Sequence, residues 1–169
     1  MSGAGTSRGR YFVMAYFVIA LAVAALDQAA KAMIAQRIPL HDSVAVIPGF
    51  FSLSHVLNRG AAFSLFANAS SQHVSTALIA FSLAVMAVIA ILLVRGPATM
   101  NRTGVALSLI LGGALGNVID RVRLGSVVDF LAFDLGRYHW PDFNLADSAI
   151  VCGSLLLMLD AVVEQVRKR

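Results

Sequence analysis

Sixteen consecutive apolar residues, Tyr11 to Leu26, follow a short polar start. Helical spacing then continues through Asp27-Gln28-Ala29-Ala30-Lys31 to about Ile34, which exceeds the roughly 20 residues needed to cross a bilayer. In hydrocarbon such a run can satisfy its own backbone only as a helix. Its basic start and apolar core also imitate a secretory signal peptide, but the continuation past Leu26 fits a span better. Three more apolar stretches follow, at about 75–94, 103–122 and 144–163. With 59% hydrophobic and 13% charged residues, the solvent for most of this surface is lipid. We therefore expect an all-α membrane protein of four transmembrane helices (11–34, 75–94, 103–122, 144–163) forming a single integral-membrane domain over 1–169.

The connections differ in kind. Residues 38–72 contain Pro39, Pro48, Gly49 and Gly60 as breakers. Within them Phe51-Ser52-Leu53-Ser54-His55-Val56-Leu57 alternates imperfectly, as a strand with one apolar face would. A small amphipathic β-sheet segment is expected there on the outer, membrane-facing side, closed by a turn at Asn58-Arg59-Gly60. Residues 123–143 form a second mixed segment on the same side, with Tyr138 and Trp140 suited to an interfacial belt. Arg95-Gly96-Pro97 ends the second span, and Gly112-x-x-x-Gly116 in the third permits close helix approach.

Four spans put both termini on one side with the short loop between spans two and three. Arg8, Arg10, Arg95, Arg102, Arg167, Lys168 and Arg169 lie near span ends on that side, so the positive-inside rule makes it cytoplasmic. The polar motifs then converge on the opposite face. Asp27 and Lys31 end span one, Asn117, Asp120 and Arg121 end span three, and Asn144 and Asp147 begin span four, while Asn58 and Asp129 belong to the two outer segments. Only Asp160 and Glu164 remain as acids near the inner side. Each has an ordinary structural reading. Asp27 and Lys31 are spaced for a helical ion pair, Asn144-x-x-Asp147 suits a helix start, Asp120-Arg121 is surface charge and Asn58-x-Gly60 a turn. Their shared location argues instead for a site, because ionisable groups at membrane spans are costly.

Two carboxylates suffice for peptide hydrolysis: an ionised one accepts a proton from attacking water, and a protonated one donates to the carbonyl oxygen. Asp129 and Asp147, each among apolar neighbours, are the best pair. Asp147, in the first turn of a helix, is expected to be the ionised member and Asp129 the protonated one. Other chemistries fit less well. His41, His55, His73 and His139 lack metal-ligand spacing and Cys partners. Cys152 is the only cysteine and reads as helix packing. Lys31 is a poor base beside Asp27, and no phosphate-cradling loop follows a strand. A net charge of +4 without aromatic interleaving does not suggest nucleic acid.

Five blocks carry a resemblance: Asp27-Gln28-x-x-Lys31; Asn58-x-Gly60-Ala61-Ala62-Phe63-Ser64; Gly112-Gly113-Ala114-Leu115-Gly116-Asn117-x-x-Asp120-Arg121; Gly125-x-Val127-Val128-Asp129-Phe130; and Phe143-Asn144-x-Ala146-Asp147-Ser148. In these, and over most of its length, the chain resembles the lipoprotein signal peptidase family, bacterial signal peptidase II. The resemblance implies a multi-pass aspartyl endopeptidase of the bacterial inner membrane. Such an enzyme removes signal peptides from prolipoproteins, cutting before the diacylglyceryl-modified lipobox cysteine at the outer face. It implies Asp129 and Asp147 as catalytic, and Asn58, Gly60, Asn117, Asp120, Arg121, Asn144, Asp27 and Lys31 as substrate-binding or supporting positions. It also implies inhibition by globomycin, and no metal or organic cofactor; a monomer in contact with membrane lipid is expected. Phe63 and Phe66 are placed to contact lipid. A transporter using Asp129, Asp147 and Arg121 as an ion path is the rival reading, although it predicts polar groups along the depth of the spans. A purely structural four-helix assembly protein is the third.

Overall fold

The computed structural model describes residues 3–60, 71–97 and 99–167. Helix α1 (Gly3–Arg37) leads into strands β1 (Ser43–Ile47) and β2 (Phe51–Asn58). Helices α2 (Ser71–Arg95) and α3 (Arg102–Leu124) follow, then β3 (Val127–Leu135), β4 (Tyr138–Phe143) and α4 (Leu145–Arg167). Among the described residues 4 helices are long and apolar enough to cross a membrane, and Phe81, Leu83, Val88, Leu155, Met158 and Leu159 stand exposed on them. Water would penalise such a surface, whereas lipid does not.

Helix α3 is the centre of the bundle. It starts at Asn101, whose side chain accepts from Gly104 N–H at 2.7 Å, and stops at Gly125, left-handed at φ 71° with its N–H on the Arg121 carbonyl. Its glycines are contact surfaces. A Cβ on Gly112 would strike the Ala20 carbonyl of α1, and one on Gly113 the Ala146 carbonyl of α4. A Cβ on Gly116 would lie 2.6 Å from a carboxylate oxygen of Asp27. Small residues thus let α3 wedge between α1 and α4. Tyr16, Ala20, Ile89, Leu93 and Leu111 form the core at one end, and Ile34, Ile38 and Phe130 tie the other end of α1 to β3.

The sheet is a 4-stranded antiparallel array in the order β1-β2-β3-β4. Strands β2 and β3 are neighbours although two helices separate them in the chain, so both mixed segments build one sheet. Asn58 pairs with Val127, and Val56 with Asp129. Sequence periodicity indicates β2 but not β3. Val127, Val128, Asp129, Phe130 and Ala132 are all buried, and a strand covered on both faces loses its alternation. Strand β4 carries Pro141, tolerable because β4 is an edge. Stacked rings of Phe51, Phe133 and Phe143 hold the middle of the sheet. Ala61, Ala62, Phe63, Ser64 and Phe66 lie outside the described residues, as do Lys168 and Arg169.

Candidate active site

The start of α4 orders the site. Asn144, fully buried, accepts from the Asp147 N–H at 2.9 Å through Oδ1, while its own N–H donates to Asp147 Oδ2 at 3.3 Å. This reciprocal cap fixes both residues. The other half of the Asn144 carboxamide points at β3, where Nδ2 donates to Asp129 Oδ1 at 2.7 Å. The second oxygen of Asp129 accepts from Asn58 Nδ2 at 2.9 Å. Asn58 is itself oriented by an Asx turn, its Oδ1 accepting from Gly60 N–H at 2.8 Å with Gly60 at φ 93°. Asn117 Nδ2 donates to Asp147 Oδ1 at 2.8 Å. The cap and turn readings of Asn144 and Asn58 are therefore correct, and the same groups also hold the two aspartates.

Asp129 is 2% exposed. Burial pushes its pKa up to about 6, and the nearby Asp147 charge adds to the rise against the hydrogen bonds from Asn58 and Asn144. Asp147 is only half-buried. The guanidinium of Arg121 interacts electrostatically with Asp147, Asp129 and Asp120. It also lines an open cavity of about 550 Å3 with Arg59, Ser75, Ile79 and Gly125. Among the described residues, no group of three or more His, Cys, Asp and Glu is arranged to hold a metal ion.

A second acidic cluster lies behind the first. Lys31 Nζ reaches Asp27 and Asp120 at 2.8 Å each and Asn117 Oδ1 at 3.1 Å, so its three donors have three acceptors. Asp27 also accepts from Ala146 N–H at 2.9 Å, and Asp120 from Val128 N–H at 3.1 Å. These backbone donors flank Asp147 and Asp129, so the cluster pins both chain segments that carry them. Gln28 joins in, with Nε2 2.8 Å from Asp120 and 3.1 Å from the Gly116 carbonyl. Sequence reasoning gave Gln28 no role, although its position beside Asp27 on the outer end of α1 was a signal. The structure thus brings Asp27, Lys31, Asn58, Asn117, Asp120, Arg121, Asp129, Asn144 and Asp147 to one end of the bundle, with Gly60 shaping the Asn58 turn.

Two carboxylates held by neutral amides, one buried enough to hold its proton up to about pH 6 and one partly open, are equipped to move protons on and off a reacting group. The family described as signal peptidase (SPase) II matches residues 19–163. The lipoprotein signal peptidase of Desulforapulum autotrophicum is 43% identical over 150 residues, covering 88% of this chain and 92% of that protein. That of Geobacter sulfurreducens is 46% identical over 143 residues, covering 85% and 88%. A bacterial membrane enzyme solved by the in meso method at 2.3 Å superposes with a TM-score of 0.81 at 30% identity, over 94% of this chain and 93% of that one.

Proposed function

The chain belongs to the signal peptidase II family, and from that membership we propose that it is an aspartic endopeptidase that cuts diacylglyceryl-modified prolipoproteins just before the lipid-modified lipobox cysteine. It is a multi-pass bacterial membrane peptidase acting on prolipoproteins. The finer reading is carried by one observation: Asp129 and Asp147 share the Asn144 carboxamide, Asp129 on its Nδ2 and the Asp147 N–H on its Oδ1.

In this mechanism ionised Asp147 takes a proton from water as the oxygen attacks the scissile carbonyl carbon, and protonated Asp129 gives its proton to the carbonyl oxygen. The tetrahedral diol then collapses. The C–N bond breaks, a proton passes to the cysteine nitrogen, and the dyad regains its starting state. Asn58, Asn117 and Asn144 keep the two carboxylates in register, while Arg121 draws the substrate backbone toward them. The substrate carries a signal helix and two acyl chains and cannot leave the bilayer, so its protease must offer water and acids at the membrane edge. With both termini cytoplasmic, the aspartates stand at the outer face. The enzyme works as a monomer, is open to globomycin-type inhibitors and needs no cofactor.

Cleavage of a diacylglyceryl-modified prolipoprotein by the purified protein tests this, beside Asp129→Asn and Asp147→Asn variants of unchanged thermal stability. Cutting before the lipidated cysteine by wild type, and inert folded variants, are expected. Near-normal activity in either variant removes that aspartate from the mechanism.

A further inference from the structure

The end of the bundle away from the aspartates holds an open cavity of about 510 Å3, where α2 ends, α3 begins and α4 ends. Its inner wall is apolar, formed by Leu92, Leu93, Leu107 and Val163. Tyr16, 3% exposed, closes the floor, its hydroxyl donating to the Thr99 carbonyl at 3.1 Å and accepting from Asn101 N–H at 3.0 Å. Leu92, Val162 and Val166 are more than half exposed, so the wall continues into the surface that faces lipid.

The rim is charged. Arg102, Arg167, Asp160 and Glu164 surround the mouth, and none of them forms an ion pair among the described residues. Asp160 accepts from Thr103 Oγ1 at 2.6 Å. Two of these charges also oppose their own helix dipoles. Arg102 is the first residue of α3, at its positive end, and Glu164 lies in the last turn of α4, at its negative end. Helix stability alone would favour the opposite signs. A ligand with an anion near the start of α3 and a cation near the end of α4 would complement both.

We propose that this cavity binds a phospholipid with a phosphoethanolamine headgroup, its phosphate between Arg102 and Arg167, its ammonium on Asp160 and Glu164, and an acyl chain along Leu92 and Val163. Carboxylates accept N–H hydrogen bonds from a primary ammonium, and such charge-assisted bonds are the stronger kind. A choline headgroup has no N–H to give. An anionic glycerol headgroup leaves Asp160 and Glu164 without a cation.

The test is native mass spectrometry and thermal shift on the delipidated full-length protein, with phosphatidylethanolamine, phosphatidylcholine and phosphatidylglycerol compared at equal concentration. Soluble glycerophosphoethanolamine serves as the headgroup-only arm. About tenfold preference for phosphatidylethanolamine is expected, with little shift from the soluble headgroup. Glu164→Gln, at an exposed position, and the double variant Asp160→Asn/Glu164→Gln should lose that preference while retaining prolipoprotein cleavage in detergent. Arg102→Gln/Arg167→Gln should weaken all three lipids. Equal binding of the three lipids to wild type overturns the proposal, as does a preference that survives Glu164→Gln and the double variant together. An equal shift from glycerophosphoethanolamine overturns the lipid and assigns the cavity to a soluble phosphoamine.

Discussion

Asp27 and Asp120 grip Lys31 at 2.8 Å each, whereas Asp129 and Asp147, on the same side of the bundle, are held by carboxamides and a backbone N–H. Each carboxylate of the first pair faces a cation, whereas each of the second faces neutral donors and a like charge, and there burial raises the pKa of Asp129. Asn117 joins the two regions. Lys31 can only donate, so the atom of Asn117 facing it must be oxygen, which turns the NH2 toward Asp147. The ion-paired cluster thereby sets the polarity of the hydrogen bonds that reach the candidate dyad.

The largest expected effect separates the two regions by chemistry. Asp129→Asn or Asp147→Asn should lower kcat for prolipoprotein cleavage by about a thousandfold, within the range that general acid or base groups contribute, and leave the protein folded at the assay pH. Stability measured alongside kcat checks it. A variant that melts early while its folded fraction cleaves normally would reverse the assignment.

Next is Lys31→Met, which leaves two buried carboxylates without their cation. Breaking a buried pair from one side costs about 3–5 kcal/mol, read as lost unfolding free energy or as a failure to fold. Adding Asp27→Asn and Asp120→Asn removes the unpaired charges and should restore most of that stability. In the restored triple variant Asn117 Oδ1 loses its Lys31 donor at 3.1 Å and keeps the longer bond from Asn144 Nδ2 at 3.3 Å, so its orientation is held less firmly and cleavage should stay depressed. Full recovery of activity would show that the rear cluster contributes stability alone.

The raised pKa of Asp129 gives a pH signature. Its folded value of about 6 stands above the ordinary 3.8, so the folded state holds this proton more tightly than the unfolded chain. Stability from this group is therefore greatest below about pH 4 and declines as pH rises toward 6, by on the order of 3 kcal/mol. Asp129→Asn should gain on wild type over that window. The kcat/KM of wild type should fall as pH rises above about 6, where the donor loses its proton. A difference in melting temperature that does not change with pH would show that Asp129 titrates normally.

How much of this the sequence could carry depends on the range of each interaction. The four helices are visible because each is an apolar run judged on its own residues, and once they alternate across a bilayer, the gathering of acids on one side follows. The partition of those acids is invisible. Asp27 and Lys31 announce a pair at helical spacing, but nothing in the chain says that Asp120 completes it from α3. Strands β3 and β4 were missed because β3, buried along most of its length, shows no alternation. Gly112 and Gly116 read as packing; that Gly116 makes room for the Asp27 carboxylate depends on where α1 lies.

The smallest expected effect comes from a third acidic pair, in the β3–β4 hairpin. His139 is 58% exposed, with Nδ1 2.8 Å from Asp134 and Nε2 3.0 Å from Asp142. The bond to Asp134, then that to Asp142, raises its pKa. The resulting stability is present below the ordinary value of 6.5 and is lost as pH rises through the raised one. Exposed pairs contribute little, and Ser54 holds Asp142 independently at 2.7 Å. His139→Gln should therefore leave cleavage and melting temperature nearly unchanged. It should speed hydrogen exchange in β4 at pH 6, and much less at pH 9, where wild-type His139 has already lost its charge. Equal acceleration at both values would mean that the imidazole holds the hairpin by shape, and exposure alone would then not rank the three acidic pairs.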